Sequence, residues 1–302
     1  MKSIIFIVMA ITLVTIVSCH PKLTASKSPA HAITDSRGNK MLLGESNRQS
    51  LQEPPFASWF IKNYSEYQLD SNTCDVLKRK LAHKKLEIFM GTWCGDSRRE
   101  VPRMFRILDY CGVKHSQVKL VMLGNTETLY KQSPEHEEHG LEIHRVPDFI
   151  VYDHQKEIGR IIEEPVVSLE KDLLAIVNGD IYTPSYPAVS MIIELFKKNP
   201  SPYSEIQLNE FAGIIKPFSK STGELNTYGY VKMAAGEMGK AEAAFKINII
   251  LYGNTGDVYD SMGDYYVKTN QPDRAKENYQ KSLQLDPAND GSRKKLLQLQ
   301  SN

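Results

Sequence analysis

Leu86-Glu87-Ile88-Phe89-Met90-Gly91-Thr92-Trp93-Cys94-Gly95-Asp96-Ser97-Arg98-Arg99-Glu100-Val101-Pro102 is the stretch whose reading decides the fold. An apolar run ends at Gly91-Thr92, and a charged amphipathic segment begins just after Trp93-Cys94-Gly95. This predicts a buried strand feeding a helix whose first turn carries a cysteine. A helix start offers unpaired N–H groups and partial positive charge, conditions under which a thiol ionises more readily than a free one. Cys94 is therefore the leading candidate for chemistry. Outward from it, Val118 to Leu123 alternates and closes on Gly124-Asn125, as a central strand does. The polar segment 126–144 reads as a helix crossing over to the next strand. Phe149 to Tyr152 and Glu157 to Ile162 read as a hairpin, and Ser168 to Val177 as a closing amphipathic helix with Gly179 past its end. Upstream, Pro55 to Tyr64 has helical spacing, with Trp59 and Phe60 as packing groups. Tyr67 to Asp70 reads as a short edge strand, and Ser71 or Thr73 as the cap of a helix through Val76, Leu77 and Leu81.

This order of elements resembles the thioredoxin superfamily. Pro102, eight residues after Cys94, stands where that family's active-site helix carries its kinking proline. Arg145-Val146-Pro147-Asp148-Phe149-Ile150 stands where the family has its cis-proline followed by an apolar strand. The resemblance spans 54–179 and implies an α/β thioredoxin-like fold, a central mixed sheet flanked by helices. It also implies that the loop at Pro147 lies against Cys94 and that the backbone of Val146 pairs with an incoming peptide. Trp93, Gly95, Asp96, Val146 and Pro147 are on that basis the substrate-binding candidates, with Cys94 and Ser97 as the catalytic ones.

One departure governs the expected activity. The family's Cys-x-x-Cys is here Cys94-Gly95-Asp96-Ser97, so the resolving thiol is replaced by a hydroxyl that cannot form a disulfide. The family's buried acid falls on Ile88, with Glu87 one residue off and on the other strand face. Ser97 has two compatible readings, a first-turn cap and a hydroxyl donor to the Cys94 thiolate. Arg98 and Arg99 favour a thiolate, and Asp96 opposes it. Cys111 follows on the same helix, and at 1.5 Å per residue lies about 25 Å from Cys94, too far to resolve a mixed disulfide. Cys74 is placed on the other helical layer, which argues against a Cys74–Cys111 bridge. Both read as buried structural cysteines.

The 302 residues carry a net charge of +1, with 41% apolar and 24% charged side chains. Length points to about two domains, and balanced charge argues against a nucleic-acid partner. Four cysteines are too few for a disulfide scaffold. Met1-Lys2 and the apolar run from Ile4 to Val17 have the shape of a secretory signal, too short for a comfortable membrane span. Ile16-Val17-Ser18-Cys19 resembles the lipobox of bacterial lipoproteins, which implies a signal over 1–18, lipidation at Cys19, and a membrane-tethered body outside the cytoplasm. From residue 19 to 53 the composition reads as a flexible tether.

The thioredoxin-like domain is expected over 54–180 and connecting helices over 181–221. Beyond these, 222–302 reads as an all-α region with the 34-residue period of tetratricopeptide repeats and a capping helix from Ser292 to Gln300. Gly229, Ala241 and Phe245 match Gly263, Ala275 and Tyr279, and Tyr266 and Pro287 complete the second copy. Glu135-His136-Glu137-Glu138-His139 and His144 lack the spacing of a zinc protease and read as a solvated helix face, so neither a metal nor another cofactor is expected. Copper handling would need a second thiol near Cys94, and a peroxidase would need peroxide-activating neighbours. The expected function is monothiol thiol–disulfide exchange through Cys94 on protein or small-thiol disulfides. The alternative is a non-catalytic module that binds protein partners in the cleft and on the repeat surface.

Overall fold

The structure is a computed structural model that describes residues 31–35 and 38–301. The signal segment, Cys19 and the first part of the expected tether lie outside the described residues. Among the described residues, no helix is long and apolar enough to cross a membrane.

The N-terminal half is built on six strands: β1 (His31–Thr34), β2 (Lys40–Ser46), β3 (Lys84–Met90), β4 (Val118–Met122), β5 (Asp148–Asp153) and β6 (Lys156–Ile162). They form one mixed sheet in the order β1-β2-β4-β3-β5-β6, with β3 and β4 parallel and the other neighbours antiparallel. The central strand β3 is apolar along one face, while the other carries Lys85 and Glu87 ahead of Phe89. Its alternate residues Leu86, Ile88 and Met90 enter a core shared with α2 (Ala57–Ser65), α3 (Ser71–Lys80), α4 (Gly95–Tyr110) and α5 (Leu169–Asn178), where α1 is the short turn Arg48–Leu51. Phe89 points the other way, into a smaller cluster with Val121, Leu123, Ile143, Val146 and Ile150.

Ser168 caps α5 by accepting from Lys171 N, and Gly179 ends it in the left-handed region at φ 74°. Pro102 lies inside α4 and cannot donate to the Arg98 carbonyl one turn back. That carbonyl instead accepts from Asn63 Nδ2 at 3.1 Å, which ties α2 to the cysteine-bearing helix.

Three local expectations are corrected. From His31 onward the segment read as a tether is a strand pair: Met41, Leu42 and Leu43 are buried, and β2 lies against β4. The run is too short to show a period, and its pairing with a central strand decides its conformation. Tyr67 to Asp70 forms no strand; Asp70 is the cap of α3, accepting from Thr73 N at 3.2 Å. The segment 126–144 forms no helix either. Lys131, His136, Glu142 and Gly140 all have positive φ, and local side chains compete for the backbone, with Ser133 N donating to Glu138 and Glu137 N to Ser133 Oγ. The histidines read as a helix face therefore sit in turns.

From α6 (Pro187–Lys198) and α7 (Glu205–Ile215) onward the chain is helical. Helices α8 (Thr222–Ala234) and α9 (Met238–Tyr252) pack as a pair, as do α10 (Gly256–Lys268) and α11 (Pro272–Leu285), and α12 (Asp290–Ser301) follows. A Cβ on Gly229 would overlap the Phe245 ring, and one on Gly263 the Tyr279 ring, so both pairs make the same close approach 34 residues apart. The helical part sits on the irregular segment of the sheet domain. The rings of Tyr130 and Tyr230 meet edge to face at 6.5 Å, and Lys232 Nζ lies 2.6 Å from Glu142. Contacts thus cross the boundaries drawn at 180/181 and 221/222.

Candidate functional site

Cys94 is the N-cap of α4, with extended backbone at φ −85° and ψ 130°. Its thiol is partly exposed and donates to the carbonyl of Val146 at 3.1 Å, across the gap between β3 and the start of β5. The Val146–Pro147 peptide is cis, and both residues are buried. The fold therefore brings together Cys94, Val146 and Pro147, which are far apart in the chain.

The neighbours of Cys94 are held by the backbone around them. Trp93 donates its indole N–H to Leu123 O at 2.8 Å and lies over Gly91, where a Cβ would strike the ring. Thr92 is fully buried, and its hydroxyl accepts from Leu42 N of β2 at 3.1 Å. Ser97 is buried and its Oγ accepts from Gly91 N at 3.2 Å, so it braces the turn that precedes the cysteine. Gly95 is exposed with open space around its Cα, and Asp96 pairs with Arg99 at 2.8 Å.

The two arginines expected to favour a thiolate are engaged elsewhere. Arg98 Nε donates to Thr92 O at 2.6 Å, and Arg99 spans Asp96 and the buried Glu100. The charges near Cys94 come instead from residues the sequence reading did not single out. Lys131 is 6% exposed, donates to Tyr130 OH at 2.8 Å and lies 5.9 Å from the centre of the Trp93 ring. Burial lowers Lys131 to about 8, Arg145 pushes the same way, and Glu163 and Cys94 oppose. Arg145, directly before Val146, pairs with Glu163 at 3.4 Å, donates to Gly223 O of α8 at 2.9 Å and stacks on Tyr186 at 4.6 Å. Tyr186 OH also donates to Glu163. Burial raises Glu163 first, with Arg145 opposing and Asp96 adding to the rise. Charged residues in a turn-rich segment carry no period, so only Arg145, adjacent to the Val-Pro dipeptide, offered a signal in the sequence.

Behind Pro147, Asp148 is wholly buried. One oxygen accepts from Arg160 at 3.2 Å and the other has no partner, and burial pushes the carboxyl up to about 7 against the pull of Arg160. Arg160 also donates to Leu141 O at 2.8 Å, fastening the irregular segment to β6. His144 is buried with Nδ1 at 3.2 Å from Glu142 O and Nε2 unpaired, and burial lowers it to about 3. Ile88 sits in the apolar core, and Glu87 is on the other face within 3.4 Å of Tyr152 OH. Among the described residues, no group of three or more His, Cys, Asp or Glu side chains is placed to hold a metal.

No known family profile matches the chain, and no curated protein matches it. Among solved structures, a protein of unknown function from Pseudomonas aeruginosa is similar at 16% identity and a TM-score of 0.34, covering 45% of this chain and 93% of its own.

Proposed function

We propose that this chain is a thioredoxin-like, membrane-tethered extracytoplasmic protein that carries out monothiol thiol–disulfide exchange through Cys94. The observation that carries the reading is the partly exposed Cys94 thiol at the N-cap of α4, 3.1 Å from the carbonyl of Val146. A helix N-cap is where a sulfur can carry negative charge, and the backbone carbonyl beside it is a group with which an extended client can pair. In the first step Cys94 as thiolate attacks one sulfur of a client disulfide. That S–S bond breaks, the Cys94–client bond forms, and the second client sulfur leaves as thiolate and takes a proton from water. Among the described residues the other cysteines lie at the far end of α4, so an external low-molecular-weight thiol attacks the client sulfur and frees Cys94. The Gly229–Phe245 and Gly263–Tyr279 contacts support tetratricopeptide repeats as the reading of the helical part, and Ile16-Val17-Ser18-Cys19 supports the lipid anchor.

A second reading, a non-catalytic partner-binding module, is favoured by a cavity of about 750 Å³. It lies between residues 125–130 and helices α8, α10, α11 and α12, and Tyr130, Tyr230 and Lys295 are among its lining. One experiment separates the two. Purified protein is mixed with a disulfide client and quenched with acid, and adducts are resolved without reduction. Exchange chemistry predicts mixed disulfides on Cys94 that vanish in Cys94→Ser, with poor multiple-turnover reduction of insulin. An unmodified Cys94 under these conditions supports the binding module, and fast turnover with a thioredoxin reductase contradicts the monothiol reading. A membrane-fraction assay tests the anchor: Cys19→Ala should leave the membrane fraction on salt washing, and a variant that stays there refutes lipidation.

A further inference from the structure

At the end of α4 opposite Cys94, the helix terminates on Cys111, which is its C-cap. Cys74, in the first turns of α3, packs against it. The Cys111 thiol donates to the carbonyl of Cys74 at 3.5 Å, and each thiol is close enough to affect the ionisation of the other. Both are buried, at 0% and 4% exposure, in the same apolar core. The expectation that Cys74 lies on the other helical layer is thereby corrected: α3, α4 and α5 share one face of the sheet, and the irregular segment takes the other. A thiol touching the backbone of a second cysteine, across two helices in one core, sets the two residues side by side, as a disulfide requires.

We propose that Cys74 and Cys111 are a disulfide site, joining α3 to the C-terminal end of the Cys94 helix when the chain folds in the presence of a low-molecular-weight disulfide. The two thiols lose two protons and two electrons to form the bond. The oxidant's own S–S bond breaks, accepts them and leaves as two thiols. The pair has the buried surroundings of a structural rather than a reactive bridge, and burial moves Cys74 up to about 12 and Cys111 up to about 11. Neither thiol is therefore much ionised once packed, and the bond forms during folding, before the core closes. Cys94 is excluded from it by the length of α4, about 25 Å. The inference rests on this packing and holds whether or not Cys94 exchanges disulfides.

The test uses the full chain, unfolded, reduced, and refolded in reduced and oxidised glutathione. Free thiols are then alkylated and the tryptic map is read without reduction. The expected result is the peptide 63–78 joined to the peptide 107–114, with Cys94 either alkylated or bound to glutathione. The bridged form should unfold about 10 °C above the reduced form. Cys111→Ala should leave Cys74 alkylated and remove the oxidant-dependent rise. Alkyl label on both Cys74 and Cys111 in the refolded wild type, or either one joined to Cys94 or Cys19, overturns the proposal. The wild-type map decides this by itself, so it stands even where a variant folds poorly.

Discussion

Replacing Asp148 by asparagine isolates the titration of the one carboxyl that stands directly behind the Cys94–Val146 contact. Asp148 is fully buried, with one unpaired oxygen and one hydrogen bond from Arg160. Burial lifts it from its ordinary value of 3.8 to about 7. A carboxyl raised in the folded state binds its proton more tightly there than in the unfolded chain. Its contribution is fully present below the unfolded value of 3.8 and is lost as the pH rises through about 7. Roughly three pH units at about 1.36 kcal/mol each make the loss about 4 kcal/mol, an upper figure because the Arg160 pair relaxes as the carboxyl ionises. Asparagine keeps the shape and does not titrate. The assay is urea unfolding of wild type and Asp148→Asn at intervals from about pH 4 to about pH 8, with the two stabilities subtracted at each pH. His144, lowered from 6.5 to about 3 by burial, pulls stability the opposite way between those values, but it is present in both proteins and drops out of the difference. The wild type should lose ground to the variant steadily up to about pH 7 and then level off. A flat difference, or one that grows in favour of wild type as pH rises, would mean that Arg160 holds Asp148 ionised and that the burial argument fails.

Gly263→Ala should destabilise the chain by about 2 kcal/mol, because the added methyl meets the Tyr279 ring and that ring cannot swing away while its hydroxyl donates to Asp264 at 2.7 Å. Gly213→Ala in α7, with open space around it, should instead stabilise by up to about 1 kcal/mol, and equal effects in chemical unfolding would refute the close-approach argument. Lys131, lowered from 10.5 to about 8, leaves the unfolded chain binding more protons between those values. Wild-type stability relative to Lys131→Met should therefore climb by up to about 3 kcal/mol across that interval, and a constant difference would place the ammonium in water.

By itself the sequence determined the elements whose signals are local. The apolar run 86–90, the break at Gly91, the amphipathic segment after Cys94, the hairpin from Phe149 to Ile162 and the cap pair Ser168 and Gly179 all depend on periodicity and end chemistry, and each stands in the structure close to its expected place. The helical C-terminal part was legible for the same reason, because small and aromatic residues recur at a fixed offset. Tertiary structure alone decided what has no local signal. Met41 to Leu43 become a strand because β1 pairs with them and the residues that follow, Gly44 to Ser46, pair with β4, and the segment 126–144 becomes turns because its side chains satisfy the backbone and its apolar groups fill the second face of the sheet. Lys131 comes near Cys94, Arg145 pairs with Glu163, and Cys74 meets Cys111, through contacts between elements distant in the chain. Periodicity reports which side of an element is buried; which other element lies against that side is set only when the whole core closes.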